Sequence, residues 1–237
     1  MTQAARVSLQ DAFLLHRRPY RETSLLLDLL TRDHGLISLV GKGVLRGRGL
    51  QGALLRPFHP LSVSWAGRSS LPALTNVESR GAVYSVSGKA LFCGFYVNEL
   101  VLRLLPSHDA HPGIFHLYEQ IMERLQNPQG LEPSLRSFEL ALLDELGYGP
   151  DLLHDAYDGQ PVDPGARYAY QAEVGVRRTV HESGSVSGGT LIALRMGGLS
   201  GADRLGEAKR LMRSIINHHL GGRPLKSREL FKFTPTT

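Results

Sequence analysis

Cysteine is almost absent: Cys93 is the single one in 237 residues. An internal disulfide is therefore impossible, and so is a metal site built on several thiolates. That usage suits a reducing, cytoplasmic setting. Long apolar runs are missing too. The longest stretches are broken by Asn98, Glu99 and Arg103, well short of the ~20 residues a membrane-spanning helix needs. Met1-Thr2-Gln3-Ala4-Ala5-Arg6 has no long apolar run behind its one positive charge, so no secretory signal is expected.

Catalytic signatures are equally scarce. The glycine-rich stretch Gly41-Lys42-Gly43-Val44-Leu45-Arg46-Gly47-Arg48-Gly49 is not a P-loop, because Lys42 is followed by Gly43 and not by Ser or Thr. Residues 183–189 form no nucleophile elbow. His108-Asp109-Ala110-His111 and His218-His219 lack the helical His-Glu-x-x-His pattern. Neighbours such as His218 and His219 point about 100° apart on a helix and do not converge, while Asp109 and His111 are read as helix caps. Cys93 reads as a core thiol. Glu99 and Glu139 are candidates for pairing with arginines. Nothing converges on an active site, and the expectation is a chain that is not an enzyme, with no metal and no cofactor.

What the sequence does have is segregated charge. Hydrophobic residues make up 42% and charged residues 21%, ordinary values for a globular protein, and the net charge is +5. Residues 1–80 carry a net +6, residues 81–203 a net −7, and residues 204–237 a net +6. Two basic ends thus enclose an acidic middle. A polyanionic partner at one or both ends accounts for this; a merely solvated surface is the alternative.

Hydrophobic periodicity divides the chain near residue 80. Residues 12–18, 23–30, 36–40, 61–65 and 71–77 read as short strands, with Leu61-Ser62-Val63-Ser64-Trp65 alternating as a half-buried strand does. Five strands without a long helix between the early ones predict a small closed barrel, an OB-fold first and an SH3-like barrel close behind. Helices are predicted over 90–105, 113–125, 134–146 and 204–220. The first is apolar on nearly every side and so is a buried central helix; the last is amphipathic, with Lys209, Arg210 and Arg213 opposite its apolar stripe. Residues 149–200, rich in Gly, Asp and Pro and containing the Tyr168-Ala169-Tyr170 and Leu191–Met196 fragments, read as an irregular insertion with room for short strands. The predicted fold is α+β: a five-stranded OB-fold barrel over 1–80, then a mostly helical domain over 81–237 with an irregular, zinc-less segment at about 149–200.

Two basic regions are the candidate sites. Lys42, Arg46 and Arg48 suit an arm touching DNA phosphates, or else a mobile surface loop. Arg17, Arg18, Arg21, Arg56 and Arg68 add charge to the same strands, interleaved with aromatics. Phe13 and Trp65 are read as core, whereas Tyr20, beside a proline and three arginines, is the stacking residue. At the far end, Lys209, Arg210, Arg213, Lys226 and Arg228 near Leu225, Leu230 and Phe231 fit three readings equally. They hold an acidic peptide, extend a DNA track, or complement a helix dipole.

Several segments together resemble one family. They are residues 12–24, including His16-Arg17-Arg18-Pro19-Tyr20-Arg21-Glu22; residues 36–42; Gly94-Phe95-Tyr96-Val97-Asn98-Glu99-Leu100; Ser137-Phe138-Glu139 through Leu146-Gly147-Tyr148-Gly149; and Gly221-Gly222-Arg223-Pro224-Leu225-Lys226-Ser227-Arg228-Glu229-Leu230. In this order and spacing the chain resembles the RecO family of bacterial repair proteins from about residue 10 to residue 232. The resemblance implies a nucleoid-associated DNA-binding protein with an N-terminal OB-fold that anneals complementary strands. It implies action with RecR to load the RecA recombinase onto strands covered by single-stranded DNA-binding protein, recognised through that protein's acidic C-terminal tail. Many such proteins carry a four-cysteine zinc module after the third helix; here Asp155-Ala156-Tyr157-Asp158-Gly159 stands in place of Cys-x-x-Cys-Gly, so no zinc is expected. Two other classes compete: a non-catalytic adaptor that touches DNA weakly, and a metal-dependent nuclease.

Overall fold

A computed structural model describes residues 6–44, 50–127 and 129–231. The chain opens with β1 (Arg6–Tyr20), β2 (Ser24–Thr31) and β3 (Gly35–Gly41), followed by a short helix α1 (Leu50–Leu54), then β4 (Pro60–Ala66) and β5 (Ala73–Ser79). Alternate residues on these strands face one interior, as the two-residue period of a strand dictates. Leu25, Leu27 and Leu29 of β2 meet Ile37 and Leu39 of β3, Val63 and Trp65 of β4, and Val77 of β5. The opposite face is also covered, which explains why Phe13, Leu26, Leu30 and Val40 are buried as well.

Two helices supply that cover, α2 (Gly88–Leu104) and α3 (Pro112–Leu125). The Phe13 ring lies 5.3 Å from Phe115 and 4.8 Å from Tyr118, both on α3. Asn98 is the polar pin of α2: its amide donates to the Leu15 carbonyl (2.9 Å) and its oxygen accepts from the Tyr118 hydroxyl (2.7 Å). A buried amide satisfied on both sides fixes the helix against β1 without leaving a polar group orphaned. Gly94 permits this approach, since a Cβ there would sit 2.8 Å from the Phe58 ring.

The remaining elements are α4 (Leu131–Glu145), β6 (Arg167–Gln171), β7 (Gly175–Thr179), β8 (Val186–Ser187), α5 (Gly188–Met196), α6 (Ala202–His219) and α7 (Ser227–Leu230). The chain forms two compact units, one from residues 1–126 and 225–237 and the other from residues 127–224. Short α7 therefore belongs with the N-terminal strands. In the second unit, β6 lies between β7 and β8, and α4, α5 and α6 pack on one another.

The expected fold class is corrected on two counts. The five N-terminal strands meet in the cyclic order β1-β2-β3-β5-β4, but the small closed OB-fold barrel expected from the sequence is not closed by a full ladder at every seam. Four seams are antiparallel ladders, while β3 and β5 run parallel and share one pair, Val40 with Ala73. The reason lies in the strand ends: β3 stops at Gly41 and β5 starts at Ala73, so they overlap by a single step. Residues 149–200 are also more regular than an insertion with room for short strands. They hold the three-stranded sheet and α5, hidden from periodicity by strands of only five, five and two residues. A smaller correction concerns α3: His111 occupies the N-cap position without a side-chain capping bond, and Pro112 starts the helix instead.

Candidate functional site

The β1–β2 hairpin carries the first cluster of cations. Leu25 pairs with Pro19 on one side and with Gly41 on the other. This register brings the hairpin tip beside the end of β3, so Arg18, Tyr20, Arg21 and Lys42 share one end of the sheet. Arg18, Arg21 and Lys42 are exposed and Tyr20 is half-buried. Arg21 turns the chain with a φ of 55°, in the left-handed region, and sets its guanidinium 5.3 Å from the Tyr20 ring centre. A cation over the ring face holds the tyrosine in place by its quadrupole.

Arg17 is committed elsewhere. Its Nη1 donates to the Leu55 carbonyl at 2.7 Å, just beyond α1, next to exposed Arg56. The two are thus brought together, with Arg17 serving the fold as well as adding charge. Arg46 and Arg48 lie outside the described residues. Arg21 was counted among the basic residues of the sequence but not singled out; its unusual φ has no signature in a residue type other than Gly or Asn.

The C-terminal set is divided. Lys209, Arg210 and Arg213 lie on α6 in the second unit, whereas Lys226 and Arg228 belong to the first. Lys209 Nζ stands 3.4 Å from Glu132 of α4, and Arg210 and Arg213 are exposed. Arg228 places its guanidinium 6.0 Å from the centre of the Tyr96 ring. Sequence reasoning missed what seats this segment. Glu99 of α2 accepts from the backbone N–H of Lys226 (3.0 Å) and Ser227 (2.8 Å) and from the Ser227 hydroxyl (2.6 Å). Burial acts to raise the Glu99 pKa. The Ser227 hydroxyl and N–H, the Lys226 N–H and the Arg103 charge outweigh it and hold the carboxyl below its ordinary range.

At the position of the absent cysteines, the carboxylate of Asp155 does the knitting. It accepts from the N–H of Tyr157 and of Arg178, both at 2.8 Å, while its own backbone bonds Gln160 and Gly159 across the turn. Those oxygens are spent on backbone donors, and Tyr157 is 78% exposed with Arg177 over its ring. The residues present do not fit a thiolate zinc site. Among the described residues no group of three or more His, Cys, Asp or Glu is placed to hold a metal ion.

Glu207 on α6 is the hub of the second unit. It accepts from the Thr190 hydroxyl (2.6 Å), the Ser187 hydroxyl (2.7 Å), the Ser187 N–H (3.1 Å) and Arg167 Nη2 (2.9 Å). Burial alone would raise its pKa; these four donors bring it down to about 2. The bonds tie β6, β8, α5 and α6 together.

Cations gathered at strand ends and on a helix, over units whose buried polar groups serve packing, define a basic binding protein. Comparison with known proteins sharpens this. Residues 6–82 match the family model described as "Recombination protein O N terminal", and residues 86–229 match "Recombination protein O C terminal". The chain is 49% identical over 228 residues to the DNA repair protein RecO of Methylococcus capsulatus, covering 96% of this chain and 94% of that one. It is 45% identical to the proteins of the same name from Cellvibrio japonicus (95% and 97% covered) and Nitrosococcus oceani (96% and 94% covered). The chain belongs to the RecO family of DNA repair proteins. Among its described residues, no helix is long and apolar enough to cross a membrane.

Proposed function

We propose that this chain is a mediator of DNA repair and homologous recombination that binds single- and double-stranded DNA and anneals complementary strands. It helps load a RecA-type recombinase onto strands coated by single-stranded DNA-binding protein, with RecR as a further partner. The observation that carries the reading is the meeting of Arg18, Tyr20, Arg21 and Lys42 at one end of the N-terminal sheet. Cations there neutralise phosphates on each strand and lower the repulsion that opposes pairing, while Tyr20 stacks on an unpaired base. No bond is made or broken, so no catalytic residue is required. Arg17 and Arg56 add charge beside this end, and Arg46 and Arg48 are assigned to the same task on sequence alone. Lys209, Arg210 and Arg213 form one candidate seat for the acidic tail of single-stranded DNA-binding protein, and Lys226 and Arg228 a second.

A fluorescent single-stranded oligonucleotide titrated across a salt series tests the DNA interface. For each phosphate contact removed, the slope of log K against log salt should flatten by about 0.7. Arg18→Ala/Lys42→Ala is expected to flatten it by about 1.4 if both residues touch phosphate. An unchanged slope moves the DNA site elsewhere and favours an adaptor that binds acidic proteins instead.

A further inference from the structure

At the other end of β2 from Tyr20, roughly 20–25 Å along the strand, the first unit contains a second feature that the annealing reading does not use. A cavity of about 220 Å³ opens between the β2–β3 turn, β4 and the loop that follows α2, lined by Asp33, His34, Ser38, Trp65 and His108 among others. The His34 ring stands edge-on to Trp65, with centroids 5.2 Å apart and planes at 81°.

The loop after α2 is brought here at a cost in backbone conformation. His108 adopts a φ of 62° and donates its N–H to the Leu36 carbonyl at 2.9 Å. Gly35, with a φ of 63°, lies so close to the same loop that a Cβ would fall 1.8 Å from the Asp109 carbonyl oxygen. Left-handed backbone at a histidine persists only where its surroundings hold it, and such residues cluster at ligand sites.

The lining narrows the ligand. The volume is below the ~300 Å³ at which pockets for drug-sized molecules begin, so it takes one ring system with its substituents outside. Trp65 and His34 supply aromatic surface. The Asp33 carboxylate accepts hydrogen bonds, the two imidazoles donate or accept, and Ser38 donates its own hydrogen to Asp28 (2.6 Å), leaving its oxygen as an acceptor. Aromatic walls with both donors and acceptors suit a flat heterocycle, whereas a phenyl ring would leave these polar groups unanswered.

We propose that this cavity receives one unpaired base of a bound strand, splayed from its neighbours, while its sugar and phosphate stay outside. The proposal rests on the DNA-binding reading above but concerns a different end of the strand.

Trp65 is the single tryptophan in the chain, so intrinsic tryptophan emission reports on this cavity. Wild type should be titrated with a thymidine hexanucleotide and with an abasic hexamer of equal charge, while anisotropy of labelled copies reports binding separately. The expected result is saturable quenching of Trp65 by the hexanucleotide and none by the abasic strand. His108→Gly accepts the left-handed backbone but lacks the imidazole, and should raise the concentration for half-quenching about fivefold or more. His34→Ala provides a second variant should the first unfold, as judged by its thermal midpoint.

Binding by anisotropy with unchanged Trp65 emission would overturn the base pocket and leave the DNA-binding reading standing. Absence of binding by either readout would overturn both. Quenching by an aromatic-ended peptide but not by the hexanucleotide would also sink the proposal and assign the cavity to a protein partner.

Discussion

Arg136 and Glu139 show how much rests on one buried pair. They meet at 2.7 Å one turn apart on α4, with their side chains 8% and 0% exposed. Removing Arg136 takes this ion pair from a carboxylate that stays buried, so Arg136→Ala should cost about 3–5 kcal/mol by denaturant unfolding of the second unit. An Asp155→Ala substitution acts differently, by depriving the Tyr157 and Arg178 N–H groups of their acceptor. It should cost about 1–3 kcal/mol for each group left unsatisfied, and added zinc should not restore the loss. At this scale the sequence was readable where residue type decides the environment. Phe13, Trp65 and Cys93 are core, as their apolar setting implied. The expectation that Glu139 pairs with an arginine holds through Arg136. The role of Glu99 was not readable, because its partners lie 127 and 128 positions away and are mostly backbone N–H groups, which every sequence contains.

Among the elements, the junction of β8, α5 and α6 carries its own pH dependence. Glu207 has a folded-state pKa of about 2, below its ordinary 4.5. A depressed carboxylate contributes stability that is fully present above the unfolded value and is lost as pH falls through the folded one. Glu207→Gln should therefore lower the thermal midpoint of the second unit at pH 7, and its difference from wild type should shrink between pH 4.5 and pH 2. A gap that stays constant into that range would show that the carboxylate charge does not stabilise the junction. The longer helices were legible because α2, α3, α4 and α6 each offer several turns of periodic burial. The second sheet was not. In β7 one residue, Val176, is buried, so alternation has nothing to repeat. The parallel contact of β3 with β5 is a product of where two strands happen to end, which no local pattern encodes.

For the whole molecule, charge read from the sequence located two basic ends but not their relation, since residues 225 onward join the first unit and α6 belongs to the second. The C-terminal segment completes the first unit: Leu225 is buried, Ser227 is held by Glu99, and Phe231 meets Phe92 edge-on at 6.0 Å. Ending the chain after Pro224 should expose that part of α2. Faster hydrogen exchange is expected there, with exchange in β6 and β7 unaltered; protection equal to wild type along α2 would show the segment to be dispensable. The same discontinuity has a meaning for synthesis. A ribosome finishes the strands and α2 early, then makes roughly 120 further residues, at about 5–20 per second, before α7 appears. For roughly 6–24 s the nascent first unit carries a Glu99 carboxylate and an apolar seat with no occupant, so residues translated late close a structure begun early.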